Sequence, residues 1–353
     1  MSKVLITGGA GFVGSHLAMG IREKLGYDVI ALDNLRRSGV ELNVPRLKAA
    51  GVRFLHGDVR NMVDLESIGR VDLIVDCSAD PSVLAGYSRD PRYVVETNLG
   101  GTLNCLELAR RYDAGIMFQS SSRVYPVLPM NSLPYHEDST RFCLDPNQTT
   151  QGVSAEGITE DFTLFGARSL YGATKLCSEH LLLEYKEMYE IPVIINRCGV
   201  LSGPWQMGRV DQGVIVLWVA RHLFQGKLSY LGFGGKGKQV RDVLHVDDLL
   251  RLILHQIRHM ETLSGEVFNV GGGLATSTSL LELTEICREI TGTKTDIGVD
   301  LENRPADLRL YITDHRKISL TSGWRPRIDM RTIVEDIYRW IYDNKDILRE
   351  ILT

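Results

Sequence analysis

The sequence predicts an α/β fold: a doubly wound parallel sheet, followed by a smaller α/β domain toward the C-terminus. Two observations carry this prediction. The first half alternates short apolar runs with amphipathic stretches, the pattern of consecutive βα units. A glycine-rich turn, Thr7-Gly8-Gly9-Ala10-Gly11-Phe12-Val13-Gly14, follows the first apolar run and opens a helical pattern. The composition agrees, because 44% hydrophobic and 24% charged residues over 353 positions supply a sizeable core and not a disordered or fibrous chain.

In chain order, the apolar runs predict strands at 3–7, 28–32, 52–55, 73–77, 115–119 and 193–196. Between them, apolar residues recurring three and four apart predict helices at 14–25, 91–112 and 170–189. The second half is richer in Gly and short mixed elements: a loop at 203–213, a turn at 232–237, and Gly271-Gly272-Gly273 ahead of a helix at 279–291. An amphipathic helix at 330–349 closes the chain. The expected division is a sheet domain over 1–196, with 239–268 returning to it, and a second domain over 197–238 and 269–353.

Forty basic residues against 44 acidic ones leave a net charge of −4. No charge excess recruits nucleic acid or a membrane surface, and neither partner is expected. The most membrane-like run, 214–224, is interrupted by Arg221 and His222 and falls far short of the ~20 apolar residues of a spanning helix. One Lys followed by a short apolar run at 4–7 is not the layout of a secretory leader, so a cytoplasmic location is expected. The six cysteines (Cys77, Cys105, Cys143, Cys177, Cys198 and Cys287) include no CxxC pair and no histidine spacing that completes a zinc site. Neither a disulfide nor a metal is expected.

Gly8, Gly11 and Gly14 permit a tight turn, close backbone approach to a pyrophosphate, and close packing of helix on strand. The helix N-terminus then offers N–H groups and its positive dipole end to phosphate. A glycine triplet alone is a weak sign in a chain with 34 glycines. Asp33 strengthens it: it closes the second strand 19 residues after Gly14, where a carboxylate accepts from the adenosine ribose hydroxyls. It would also repel a 2′-phosphate, which favours NAD over NADP. Arg36 and Arg37 follow closely enough to weaken that preference, unless they are solvated loop charges.

Tyr171 and Lys175 stand four apart on one helix face, and an ammonium beside a phenol favours the phenolate, so this pair could act as a base near neutrality. Chance supplies such a pair in a chain with 13 Tyr and 40 Lys plus Arg, so position decides its meaning. It follows the fifth strand, which ends in Ser120-Ser121-Ser122 at the sheet edge where ligands of open α/β folds bind. A hydroxyl there could hydrogen-bond a substrate alcohol, although serines at strand ends are also ordinary turn formers.

With these residues assembled, the chain resembles the extended short-chain dehydrogenase/reductases, the nucleotide-sugar epimerase and dehydratase group, over nearly its whole length. The marks are Gly8/Gly11/Gly14, Asp33-Asn34-Leu35, Gly57-Asp58-Val59, Thr97-Asn98-Leu99-Gly100-Gly101-Thr102, Ser121 four residues before Tyr125, Tyr171/Lys175, the run Arg241-Asp242-Val243-Leu244-His245-Val246-Asp247-Asp248, and Arg304 with Asp307. Within the group it is most similar to the CDP-paratose 2-epimerases, also called CDP-tyvelose epimerases. The long insertion 134–169, Asp211-Gln212-Gly213 and the segment 235–245 carry that likeness.

The resemblance implies a Rossmann domain that binds NAD through Gly8, Gly11, Phe12, Val13, Gly14, Asp33, Asn34, Asp58, Val59, Ala79, Asn98, Tyr171 and Lys175. It implies Ser121, Tyr171 and Lys175 as catalytic residues, with a nucleotide-sugar substrate near Ser122, Arg123, Gln206, Asp211, Gln212, Arg241 and Arg304. The two arginines are implied to hold the diphosphate, for which a bidentate guanidinium suits. The implied reaction inverts C2 of a CDP-hexose or CDP-3,6-dideoxyhexose by transient oxidation to a keto-sugar. A UDP-sugar 4-epimerase is the alternative. A 4,6-dehydratase is disfavoured because Ser122-Arg123 replace the Asp-Glu that elimination needs, and a non-catalytic NAD sensor is disfavoured because Tyr171 and Lys175 are both kept. The resemblance also implies a homodimer, with tetramers left open, through helices 91–112 and 170–189, whose Leu103, Leu106, Leu182 and Leu183 exceed what one sheet face needs. One departure bears on recognition: Arg197-Cys198-Gly199-Val200 lacks the Asn that the group usually places after the sixth strand.

Overall fold

Apolar runs too short for helices and long enough for strands build the central sheet of the protein, whose computed structural model describes residues 2–87, 90–208 and 212–352. The chain divides into two compact units. The first comprises Met1–Val124, Leu170–Arg197 and Leu249–Phe268, and the second Tyr125–Ser169, Cys198–Asp248 and Asn269–Thr353.

The first unit is organised by a seven-stranded sheet. Strands β1 (Lys3–Thr7), β2 (Asp28–Asp33), β3 (Arg53–His56), β4 (Leu73–Asp76) and β5 (Gly115–Ser121) lie in the order β5-β4-β1-β2-β3, with Val193–Cys198 and then Val267–Val270 beyond β5. The pairings from β3 through β5 are parallel. The order reverses beside β1, so a crevice opens at the carboxyl ends of β1 and β4, the general ligand position of such sheets. Leu5, Ile30, Ile74, Ile116, Phe118 and Ile195 are fully buried between the sheet and its helices.

The local pattern placed these elements well, and the differences have physical causes. β5 continues through Ser121 because all seven of its residues are buried. The helix expected at 91–112 runs as Arg92–Val95, a π turn over Glu96–Gly100, and Gly101–Tyr112. The π turn surrounds buried Asn98, whose carbonyl accepts from the hydroxyls of Thr102 (2.8 Å) and Ser178 (3.2 Å). The last helix is broken at Asn344 into Met330–Asp343 and Lys345–Leu352, where the Asn344 amide donates to the Trp340 carbonyl at 2.8 Å. Of the four leucines expected to face a second copy, Leu106 and Leu182 are fully buried in the unit's own core, Leu183 packs against that core, and Leu103 is 38% exposed.

The second unit contains a small sheet in the order Val200–Ser202, Val240–His245, Ser277–Ser279, with Leu310–Tyr311 also paired to Val240–His245. The insertion 134–169 folds into two short hairpins, Tyr135–Glu137 with Phe142–Leu144 and Val153–Ser154 with Gly157–Ile158. The units divide the chain differently from the expected boundaries at two places. Residues 125–169 belong to the second unit, and so do 239–248, because the partners of strand Val240–His245 are Val200–Ser202 and Ser277–Ser279; the return begins only at Leu249. Among the described residues no helix is long and apolar enough to cross a membrane, no metal-binding cluster is present, and none of the six cysteines is joined in a disulfide.

In the second unit, helix Val214–Leu223 buries His222 completely, with Nδ1 2.8 Å from the Trp218 carbonyl. Burial holds its pKa below the ordinary value, the nearby Arg288 adds to this, and Glu285 and the Trp218 carbonyl oppose it. The unfolded chain therefore takes up a proton near pH 6.5 that the folded protein still refuses, and stability falls as pH drops below ~6.5. The urea midpoint is expected to fall between pH 7.5 and 5.5, and His222→Gln to fall less steeply. An identical fall in the variant would refute the assignment.

Candidate active site

The glycine loop is built so tightly that no side chain fits at Gly8 or Gly14. Gly8 has φ of 61°, and its Cβ would lie 2.8 Å from the Cys77 carbonyl oxygen; a Cβ on Gly14 would lie 2.2 Å from the Gly8 oxygen. The loop closes through Gly11 N–H to Gly8 O at 3.0 Å. Helix Phe12–Leu25 then starts at Gly11, which has no side chain to cap the first-turn N–H groups around Phe12, Val13 and Gly14. This cradle fits a pyrophosphate. Gly14→Ala is expected to cost about 1–3 kcal/mol of nucleotide affinity, roughly fivefold to 150-fold, read as the NAD content of the purified protein.

Around the loop, Asp33 accepts from the N–H groups of Ala10 (3.1 Å) and Leu35 (2.8 Å), and burial raises its pKa against those bonds. Asn34 donates to Asp58 at 2.9 Å, and Arg60 binds the same carboxylate through Nε (3.0 Å) and Nη2 (2.7 Å). Burial would raise the Asp58 pKa, but these hydrogen bonds prevail and hold it at about 2. Val59 is buried against Gly101, and Ala79 is half-buried after β4. Asn98 clasps both backbone groups of Asp80, at 2.7 and 3.2 Å, and donates to Thr174 at 3.1 Å. These residues therefore gather along the carboxyl edge of β1, β2, β4 and the loop after β3.

Helix Leu170–Tyr189 packs against β5 and the turn Ser122–Val124. Lys175 is 2% exposed; its ammonium donates to the Gln119 carbonyl at 3.0 Å and sits 4.3 Å from the Phe118 ring centre. Tyr171, one turn earlier, is half-buried. Ser121, two residues beyond Gln119, is nearly buried, and its hydroxyl accepts the Arg123 N–H at 3.2 Å. Ser122 is buried beside it and Arg123 half-buried. The expected trio thus lies on two packed elements of one unit.

Two buried groups escaped the sequence reading. Glu179, one turn beyond Lys175, pairs with Arg197 at 2.8 Å and accepts from Ser120 at 2.5 Å, with both partners of the ion pair under 8% exposed. Asp76 accepts from Thr7 (2.6 Å), from Ser78 through its hydroxyl (2.6 Å) and N–H (3.0 Å), and from Thr102 (2.9 Å). A carboxylate at the end of the apolar run Leu73-Ile74-Val75 was the one available sign of it.

The second unit holds the other expected residues. Arg241 is mostly buried, pairs with Asp307 at 3.0 Å and donates to the Leu308 carbonyl at 2.7 Å; burial lowers its pKa, which Asp307 opposes. The Asp307 N–H binds the Arg304 carbonyl at 3.2 Å, so the turn carrying half-buried Arg304 lies beside Arg241. Gln206 is buried and engages Ser202 (3.0 Å) and the Leu201 carbonyl (3.0 Å), which ties down its own loop. Gln212 is half-buried, and Asp211 lies outside the described residues.

The sequence profile of the NAD dependent epimerase/dehydratase family matches residues 4–271. The chain is 32% identical to the CDP-paratose 2-epimerase of Salmonella typhi over 351 residues, covering 96% of this chain and 98% of that protein. It is 27% identical to the dTDP-glucose 4,6-dehydratase of Salmonella typhimurium, covering 97% and 93%. A solved UDP-glucose 4-epimerase of Thermus thermophilus in complex with NAD superposes with a TM-score of 0.77 at 26% identity, covering 96% and 99%.

Proposed function

Because the chain belongs to the NAD dependent epimerase/dehydratase family, we propose that it inverts C2 of a CDP-linked hexose or 3,6-dideoxyhexose through a transient keto-sugar. The observation that carries the substrate is its 32% identity over nearly full length to a CDP-paratose 2-epimerase. NAD, when bound, supplies the acceptor and later the donor of the hydride. The glycine cradle holds the pyrophosphate, Asp33 the adenosine ribose, and Asp58 with Val59 the adenine edge.

In this reading Tyr171 takes the proton from the sugar hydroxyl and returns it after the sugar has turned over. Lys175, whose ammonium is fixed by the Gln119 carbonyl, favours the phenolate and binds the nicotinamide ribose. Ser121 donates a hydrogen bond to the oxygen as it becomes a carbonyl. Arg241 and Arg304 hold the diphosphate, and Ser122, Arg123, Asp211 and Gln212 are assigned to the sugar, with Gln206 held by Ser202 and the Leu201 carbonyl. The absence of Asp-Glu at Ser122-Arg123 weighs against dehydration. The protein works as a cytoplasmic homodimer in this reading, with exposed Leu103 and Val95 supporting a helix-to-helix contact.

The test is proton NMR of the purified protein with CDP-glucose, UDP-glucose and a CDP-3,6-dideoxyhexose separately. The C2 epimer of a CDP-sugar is expected without net redox change, and substrate deuterated at C2 should keep its label. Galactose formation from UDP-glucose would replace this reading with a 4-epimerase, to which the Thermus thermophilus likeness points. Loss of deuterium to water would refute the hydride scheme.

A further inference from the structure

We infer that Tyr93 is a cofactor-selectivity residue: it stacks the Arg36 guanidinium on its ring and so leaves Asp33 to set the preference for NAD over NADP. In nucleotide-binding sheets of this kind an acid at the end of the second strand accepts the ribose 2′-hydroxyl, whereas a nearby Arg accommodates a 2′-phosphate. This chain carries both, Asp33 and, three residues on, Arg36. Sequence alone leaves their competition open.

The structure provides the arbiter. The Arg36 guanidinium carbon lies 3.6 Å from the centre of the Tyr93 ring, and the Arg36 backbone N–H donates to Asn34 Oδ1 at 3.1 Å. Among the described residues no carboxylate pairs with Arg36, so the ring is what orders its charge. Arg60 lies 4.6 Å from the same ring but is neutralised by its two bonds to Asp58 and by Glu96 at 3.9 Å. Arg36 and Arg60 line an open cleft of about 460 Å³ together with Asn34, His56 and Asp58. On the proposed placement of the adenosine beside Asp58, Arg36 is thus a cation lining its cleft, with the guanidinium face engaged by Tyr93. Remove the ring and the guanidinium loses the surface that fixes its direction, so its in-plane N–H groups are free to turn toward any phosphate entering the cleft. An exposed cation–π contact converts to about a twofold to fivefold bias.

The test is competition. Holoprotein is equilibrated with equal NAD⁺ and NADP⁺ until the bound ratio is constant, freed of unbound nucleotide, and its bound nucleotides are quantified. NAD should predominate in the wild type and in Tyr93→Phe, which keeps the ring. Tyr93→Ala should lower the NAD-to-NADP ratio twofold to fivefold, and adding Arg36→Ala should restore it. Tyr93→Leu substitutes for Tyr93→Ala if the latter does not fold. A uniform loss of both nucleotides at an unchanged ratio, or a shift that persists without Arg36, overturns the inference.

Discussion

Tyr171→Phe is expected to lower turnover by about 10²–10⁴-fold while leaving NAD content and thermal stability close to wild type. The change removes one oxygen from a half-buried ring at the start of a 20-residue helix, so the packing that places Lys175 survives. Lys175 keeps its 3.0 Å bond to the Gln119 carbonyl, and the cradle of Gly8, Gly11 and Gly14 is untouched. What is lost is the group proposed to accept and return the proton. The measurement is NMR turnover of the competent sugar nucleotide, alongside bound-nucleotide content. A variant with more than a tenth of wild-type turnover would remove Tyr171 from the proposed role. One that has lost its NAD as well would make the residue a binding determinant instead.

The second large effect concerns the buried pair Glu179 and Arg197. Arg197→Ala strands the Glu179 carboxylate, 2% exposed, among Ser120 and apolar residues, and breaking a buried ion pair costs about 3–5 kcal/mol. For a unit of this size that corresponds to a fall of roughly 10 °C in its unfolding temperature. Replacing both partners, Glu179→Met with Arg197→Met, should recover most of the loss, because it removes the uncompensated charge and keeps the volume. Thermal unfolding of the wild type, Arg197→Ala and the double variant decides this. A double variant no more stable than Arg197→Ala would show that the pair stabilises the unit by attraction and not merely by mutual neutralisation. The consequence for the chemistry is positional, since Glu179 joins the helix of Tyr171 and Lys175 to Ser120, the neighbour of Ser121.

Wherever an element depends on its own residues, it was legible in the sequence. β1 and helix Leu170–Tyr189 occupy the expected positions, because their apolar spacing is local and strong. The glycine loop was legible for the same reason: a tight strand-to-helix turn that admits no Cβ leaves glycines at fixed offsets. Tyr171 and Lys175 were legible as a helix-spaced pair following a sheet edge.

The groupings made by distant residues were not. Asp76 meets Thr102, 26 residues on; Ser120 meets Glu179 across 59; Arg36 meets Tyr93 across 57. Nothing in the neighbourhood of either partner announces the other. The insertion 134–169 was visible as an insertion, yet its allegiance to the second unit rests on pairings such as the Ile158 N–H with the Ile312 carbonyl at 2.8 Å. The sequence by itself therefore determined the sheet, its glycine loop and the helix-spaced pair Tyr171 and Lys175, because short-range sterics and hydrophobic periodicity act within a few residues of chain. Only the tertiary structure decided which buried charges neutralise one another, which unit owns each segment, and where Arg36 rests. Those outcomes depend on which surfaces meet once the chain has closed.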